Sequence, residues 1–237
     1  MQQYDFQAGA VLLIDKPLEW TSFDVVNKVR NALRKALGIR KIKVGHAGTL
    51  DPLATGLLIL CTGKFTKKIE SYQALYKVYD GHFQLGATTP SYDAETAIEQ
   101  QFDITDLSPE KIRTALPQFL GEIEQVPPMF SAIKVNGQPL YKKARAGEKV
   151  RIQSRQVTID RFDLPKIEAN GRVAFEIQCS KGTYIRSLVH DFGKALDNGA
   201  YLTKLRRTHI GEYSLENAWN LEELMEHIKN NYPADPA

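Results

Sequence analysis

Between Arg172 and Gly199 the hydrophobic period changes inside one short span. "RVAFEIQCS" alternates, with Val173, Phe175, Ile177 and Cys179 on one side, as a half-buried strand does. "TYIRSLVHDFGKALDNG" follows at once with helical spacing and ends near Gly199. A chain that switches period so abruptly must bury a one-faced strand and an amphipathic helix in one core. The same switch opens the sequence. "AVLLIDKP" reads as a strand closed by Pro17. Thr21 then caps a helix, Asp24 completes the cap, and Val25, Val26, Val29, Ala32, Leu33, Ala36 and Leu37 line its apolar face up to Gly38. "KVYDGHFQLG" predicts a strand ending at Gly86. "SPEKIRTALPQFLG" predicts a helix with Ser108 as cap and Pro109 at its first position, shortened by Pro117. "NLEELMEHI" places Leu221, Leu224, Met225 and Ile228 on one helical face. Strands and helices follow without regular alternation. That predicts an α+β fold with a mixed or antiparallel sheet rather than a doubly wound parallel one.

Composition narrows the class. The chain has 237 residues, 43% of them apolar and 25% charged, which suits one large globular domain or two small ones. The N-terminal run "AVLLI" is far too short to span a bilayer and lacks the flanks of a signal peptide, so the expected location is the cytoplasm. Cys61 and Cys179 lie far apart with no CxxC spacing, which points to reduced core thiols.

The net charge of +3 hides an asymmetry. Residues 216–237 hold five acids and one Lys, so the rest of the chain carries +7. Its basic groups form three clusters: Lys28, Arg30, Arg34, Lys35, Arg40, Lys41 and Lys43; then Lys142, Lys143, Arg145, Lys149, Arg151 and Arg155; then Lys204, Arg206 and Arg207. Such clusters suit a polyanion, because each cation placed on a phosphate releases counterions.

The familiar catalytic templates fail. "CTGKFTKK" lacks the spacing of a P-loop, and no GxSxG, HExxH or GxGxxG is present. "GHAG" fits the GxxG loop that clamps nucleotides, a short pattern of low specificity. The stretch that stands out is "KVGHAGTLDPLATGLLILCTGK", where turn residues run straight into an apolar segment. Asp51 at that junction reads two ways. It can cap a short helix with Pro52 at the first position. Alternatively it is a carboxylate held at a rigid turn, backed by Leu57, Leu58, Ile59 and Leu60, and able to attack a sugar carbon without a metal.

At this point the residues match a family. "GHAGTLDPLATGLLILCTGKFTK" closely resembles the central motif of the TruB family of tRNA pseudouridine synthases. Five further segments resemble the family in order: "GAVLLIDKPLEWTSFDVVNKVR", "KVYDGHFQLGATTPSYDAE", "VPPMFSAIKVNGQPLYKKARAGE", "CSKGTYIRSLVHDFG" and "LTKLRRTHIGEY". Together they span most of the chain, from about residue 9 to residue 215.

The resemblance implies a large mixed, mostly antiparallel sheet and a cofactor-free, metal-free isomerase. Its substrate would be the T-loop uridine of tRNA conventionally numbered 55, flipped out for reaction. Asp51 would be the nucleophile, and Arg186 would pair with it and keep it ionised. Tyr79 would stack on the flipped base and relay a proton, with Tyr184 beside it. His46 would fill the space the base leaves. Leu205 would wall the pocket, and Lys16 would support the motif or meet an RNA phosphate. Residues 1–215 would form the catalytic domain, and 216–237 a short acidic helix and tail, with no separate RNA-binding domain of the PUA type. The partner would be the tRNA T stem-loop, with no membrane and no guide RNA, and the protein would be a monomer.

Thr89-Pro90-Ser91 departs from the family's usual Thr-Asp-Thr, so a carboxylate is missing at position 90, while Asp93 stays nearby. Two rivals share the surface: a non-catalytic RNA-binding protein, and a glycoside hydrolase using Asp51 with a second carboxylate, for which Asp93 is the candidate.

Overall fold

The computed structural model describes residues 3–135, 137–148 and 150–232. Lys149 of the second basic cluster and the Pro-rich end, 233–237, lie outside the described residues. In chain order the elements are β1 (Val11–Lys16), α1 (Ser22–Ala36), β2 (Val44–Ala47), β3 (Ala54–Thr62), α2 (Ile69–Ala74), β4 (Lys77–Leu85), β5 (Ala87–Thr88) and β6 (Gln100–Gln101). Next come α3 (Pro109–Thr114), β7 (Gly121–Gln125), β8 (Lys134–Val135), β9 (Gln138–Pro139), α4 (Leu140–Arg145), β10 (Arg155–Ile167), β11 (Arg172–Cys179) and α5 (Ile185–Ala195). The chain closes with β12 (Ala200–Ile210), β13 (Tyr213–Ser214), β14 (Trp219–Asn220) and α6 (Leu221–Asn231).

Ten strands are hydrogen-bonded in one mixed sheet, with order β14-β1-β3-β12-β4-β11-β10-β7 and β2 and β13 attached at β3 and β12. β1 runs parallel to β14 and antiparallel to β3, and β10 is antiparallel to both neighbours. The fold is α+β, as the irregular order of sequence patterns predicts. No helix among the described residues is long and apolar enough to cross a membrane. The chain forms two compact units, residues 1–79 with 206–237, and residues 80–205.

In the first unit the apolar run after Asp51 is β3, and its near-continuous hydrophobicity has a simple cause. Leu58 and Leu60 face a cluster with Val25, Val26, Val29 and Leu33 of α1 and Leu221, Leu224 and Ile228 of α6. Leu57, Ile59 and Cys61 face the other way, against Ile210 and the partly buried Phe65, Ile69 and Leu75. A strand covered on both faces needs apolar residues at every position. Each such side chain, fully buried, stabilises the fold by roughly 1.5–3 kcal/mol relative to exposure. α1 starts as predicted: Thr21 accepts from the Asp24 N–H, and Asp24 returns the bond to the Thr21 N–H, a complete capping box. β3 and β12 approach so closely at Gly56 (φ 100°) that a Cβ there would lie 2.3 Å from the Arg207 carbonyl oxygen.

One local expectation is overturned. Asp51 caps no helix. Residues 51–54 form a turn, closed by a 3.0 Å bond from the Ala54 N–H to the Asp51 carbonyl, and β3 begins at once. Asp-Pro starts a turn as readily as a helix, and the paired strand β1 claims the residues that follow.

The second unit carries the predicted strand–helix pair. β11 buries Val173, Phe175, Ile177 and Cys179, and α5 packs Phe192 against Phe83, Phe119 and Phe162. Pro117 does shorten the helix begun at Pro109: α3 ends at Thr114 and a 3-10 turn covers Leu116–Phe119.

Candidate active site

In the first unit the turn bearing Asp51 is held from four directions. The Ser22 hydroxyl, at the first turn of α1, accepts from the Leu50 N–H at 2.9 Å and lies 3.2 Å from the Leu50 carbonyl, to which it donates. The Pro52 carbonyl accepts from the Glu19 N–H at 2.9 Å. It also accepts from Lys16 Nζ at 3.3 Å. The Gly48 carbonyl accepts from Arg207 Nη2 at 3.1 Å. These bonds leave the main chain on both sides of Asp51 little freedom, while its side chain stays partly exposed. A preset carboxylate of this kind is what covalent attack requires.

Lys16 is fully buried at the end of β1. Its ammonium also donates to the carbonyls of Pro17 at 2.8 Å and Trp20 at 2.6 Å. Three acceptors use all three of its protons. Of the two roles expected for Lys16, supporting the motif and meeting a phosphate, this geometry matches only the first. Burial pulls its pKa down to about 8, partly opposed by the negative charge of Asp51.

Arg207, in the third basic cluster, is also buried, 1% exposed, and donates through Nε to the Leu57 carbonyl at 2.8 Å. Arg206 pairs with Asp15 at 2.6 Å. Of this cluster, Arg207 is thus taken up by main-chain carbonyls and the half-buried Arg206 by Asp15, because β12 brings them alongside β1 and β3. His46 sits on β2. Burial, and then the Arg207 guanidinium, lower its pKa, so the ring is neutral near pH 7. Tyr79 is buried in β4. Glu19, beside the turn, takes a left-handed backbone with φ 66°, uncommon for a side chain without local hydrogen-bonding reach.

In the second unit Arg186 occupies the first turn of α5, 3% exposed. It donates to the carbonyls of Ser91 at 3.0 Å and Phe130 at 2.9 Å. Its Nε lies 3.6 Å from Asp93 Oδ2. Asp93 Oδ1 accepts from the Ser91 hydroxyl at 2.6 Å and the Glu95 N–H at 3.0 Å. A buried guanidinium is thus oriented by a buried carboxylate that is itself fixed. Sequence reasoning did not assign Asp93 this role; its only signal was a carboxylate surviving three residues after Pro90.

Tyr184 precedes α5, and Gln125 clamps its main chain with bonds of 3.0 Å to its carbonyl and 2.7 Å from its N–H. Arg155 stacks over the Tyr184 ring at 4.6 Å. Gln125 escaped the sequence reading, and Arg155 was read only as part of the second basic cluster, since the two are brought together by the register of β7 against β10. Leu205 is buried in β12.

Comparison with known proteins decides the family. Residues 34–185 match the model of the TruB family pseudouridylate synthase N-terminal domain, and residues 186–236 match that of the tRNA pseudouridylate synthase B C-terminal domain. This chain belongs to the TruB family.

Among its TruB relatives, a tRNA pseudouridine synthase B from Flavobacterium johnsoniae is 55% identical over 92% of this chain and 95% of its own. One from Phocaeicola vulgatus is 49% identical over 94% of both chains. Among solved structures, a Cbf5–Nop10–Gar1 complex aligns with TM-score 0.69 and 29% identity over 94% of this chain. An H/ACA RNP bound to a substrate RNA containing 2'-deoxyuridine aligns with TM-score 0.67 and 27% identity. This chain spans only 55% and 54% of those two chains.

Proposed function

We infer that this chain isomerises one uridine in tRNA to pseudouridine, and that the uridine is the T-loop residue conventionally numbered 55. The bond from N1 of the base to the sugar breaks, the base turns, and carbon 5 bonds to the sugar in its place. A proton leaves carbon 5 and N1 gains one, so the product is an isomer of the substrate. Asp51 is the nucleophile. Tyr79 and Tyr184 serve the flipped base, Arg186 carries the cationic role of the family motif, His46 meets the RNA, and Leu205 walls the pocket. All of these residues lie within 1–215, the proposed catalytic part.

The observation that carries this reading is the bracing of Asp51. Leu50, Pro52 and Gly48 are bonded to Ser22, Glu19, Lys16 and Arg207, a heavy investment in one short turn. A binding surface needs no such rigid carboxylate, least of all toward an anionic ligand. A retaining glycosidase needs a second carboxyl group about 5–5.5 Å away. Asp93, the residue considered for that part, is buried against Arg186 instead. We further propose that the protein works as a cytoplasmic monomer without guide RNA. Incubating an unmodified T-arm RNA with the protein and mapping pseudouridine tests the reading. Product at the T-loop uridine supports it; tight binding without product favours the binding-protein alternative, and release of free uracil favours the hydrolase.

A further inference from the structure

The turn Ser91–Tyr92–Asp93 meets α5 at two places. At the first, Arg186 donates to the Ser91 carbonyl at 3.0 Å and faces the Asp93 carboxylate at 3.6 Å. At the second, the Tyr92 ring lies flat on the His190 ring, 3.8 Å between centroids and 13° between planes. Arg186 and His190 are four residues apart, so they share one face of the helix. Tyr92 therefore stands between two of the residues that hold Arg186, and is itself pinned one turn further along.

The backbone of Tyr92 shows that this contact does more than fill space. Its φ is 64°, the left-handed region that a bulky aromatic rarely adopts and glycine enters without steric cost. Such a conformation persists where surrounding contacts over-determine it. Here the Tyr92 N–H donates to the Thr89 carbonyl at 3.1 Å, and the Tyr92 carbonyl accepts from the Leu202 N–H at 2.9 Å. The ring supplies the remaining hold. His190 Nδ1 is buried and has no hydrogen bond among the described residues, so stacking fixes the imidazole. Burial, aided by Lys194, lowers the His190 pKa to about 4; burial, with Asp191 and Glu99, raises that of Tyr92. Both rings are neutral near pH 7, and His190 brings no second cation to compete with Arg186 for Asp93. A cleft of about 460 Å³, lined by Thr88, Glu99, Phe102 and Lys194 among others, opens beside the pair. The stack, rather than enclosing core, clamps this side of the turn.

We propose that Tyr92 and His190 are positioning residues, whose ring stack locks the Ser91–Asp93 turn onto α5 and so sets the orientation of the Arg186 guanidinium for the isomerisation. This rests on the assignment of Arg186 to the reaction made above.

The test is single-turnover pseudouridine formation on a T-arm RNA, with RNA affinity and thermal stability measured alongside. Tyr92→Gly accepts the backbone but loses the ring. It is expected to slow the step about tenfold or more while RNA affinity stays within about twofold. Tyr92→Phe keeps the ring and is expected to restore the rate. His190→Leu, which a helix tolerates, should reproduce the loss and serves if Tyr92→Gly does not fold. In an Asp93→Asn background, where the carboxylate's share of the turn's grip on Arg186 is removed and the Ser91 carbonyl remains, Tyr92→Gly should cost less than it does alone, as coupled residues do. Parent-like rates from both single variants overturn the proposal. So does a full additional loss in the Asp93→Asn background, or a slow Tyr92→Phe. If Arg186→Lys turns over like the parent, the assignment of Arg186 fails instead, which is a separate result.

Discussion

Lys16 Nζ donates to the Pro52 carbonyl at 3.3 Å, so a fully buried ammonium braces the residue that follows Asp51. Burial lowers its pKa from 10.5 to about 8. Between these values the unfolded chain binds more protons than the folded one, so this group makes stability rise with pH across that window. The burial penalty is fully present below pH 8 and relieved toward pH 10.5. Lys16→Met removes the effect. Denaturant melts should show the stability of parent minus variant growing by about 3 kcal/mol from pH 8 to pH 10.5. A pH-independent difference would mean that Lys16 titrates as an exposed lysine.

Asp51→Asn keeps the size of the side chain and removes its charge. The bonds from Ser22, Glu19 and Lys16 to the main chain of Leu50 and Pro52 remain in the variant, so the fold and the affinity for T-arm RNA should hold. Pseudouridine formation should fall by about 10³-fold or more, since loss of a nucleophile removes the covalent route. Product mapping beside a binding assay separates the two effects. A parent-like yield would remove Asp51 from the chemistry.

Glu19 holds φ 66° while its N–H bonds the Pro52 carbonyl at 2.9 Å. Glu19→Gly keeps that main-chain bond and relieves the left-handed strain, about 1 kcal/mol after the entropy glycine loses on folding. The melting temperature should rise by about 2–4 °C, read by calorimetry. A fall would show that the Glu19 side chain, rather than its backbone, serves the turn.

RNA affinity should depend steeply on salt, and the residues that set the slope can be named. Arg40 and Lys41, next to β2, are exposed, while Arg206 and Arg207 are engaged with Asp15 and with main-chain carbonyls. Neutralising Arg40 or Lys41 should weaken T-arm binding and reduce the salt slope by about 1 each. Arg206→Gln should leave the slope nearly unchanged. Titrations across roughly 50–200 mM salt check this, and a flat dependence in the parent would remove the polyanion argument.

Local features of the fold were legible wherever the signal is short-range. The capping box of Thr21 and Asp24, the stop at Gly38, the break at Pro117 and the alternation of Val173 to Cys179 each act within a few residues. The long strands β10 and β12 carry mixed charged and apolar residues, and only their partners make them strands.

The sequence by itself determined the family and the candidate nucleophile. Ordered motifs point to both, and a motif is a property of the linear chain. It also determined α1, α3, α5 and α6, since caps and apolar stripes are local, whereas the six-residue α2 and α4 have no side-chain cap and were not read. Only the tertiary structure decided where the charges go. Lys204, Arg206 and Arg207 read alike as one basic cluster, yet Arg207 is buried against Gly48 and Leu57, some 150 residues away in sequence. Asp93 reads as a spare carboxylate, yet it holds Arg186 across 93 residues. Whether a charge meets solvent or a buried partner depends on strand pairing and helix packing between distant segments, and no window of neighbouring residues contains that information.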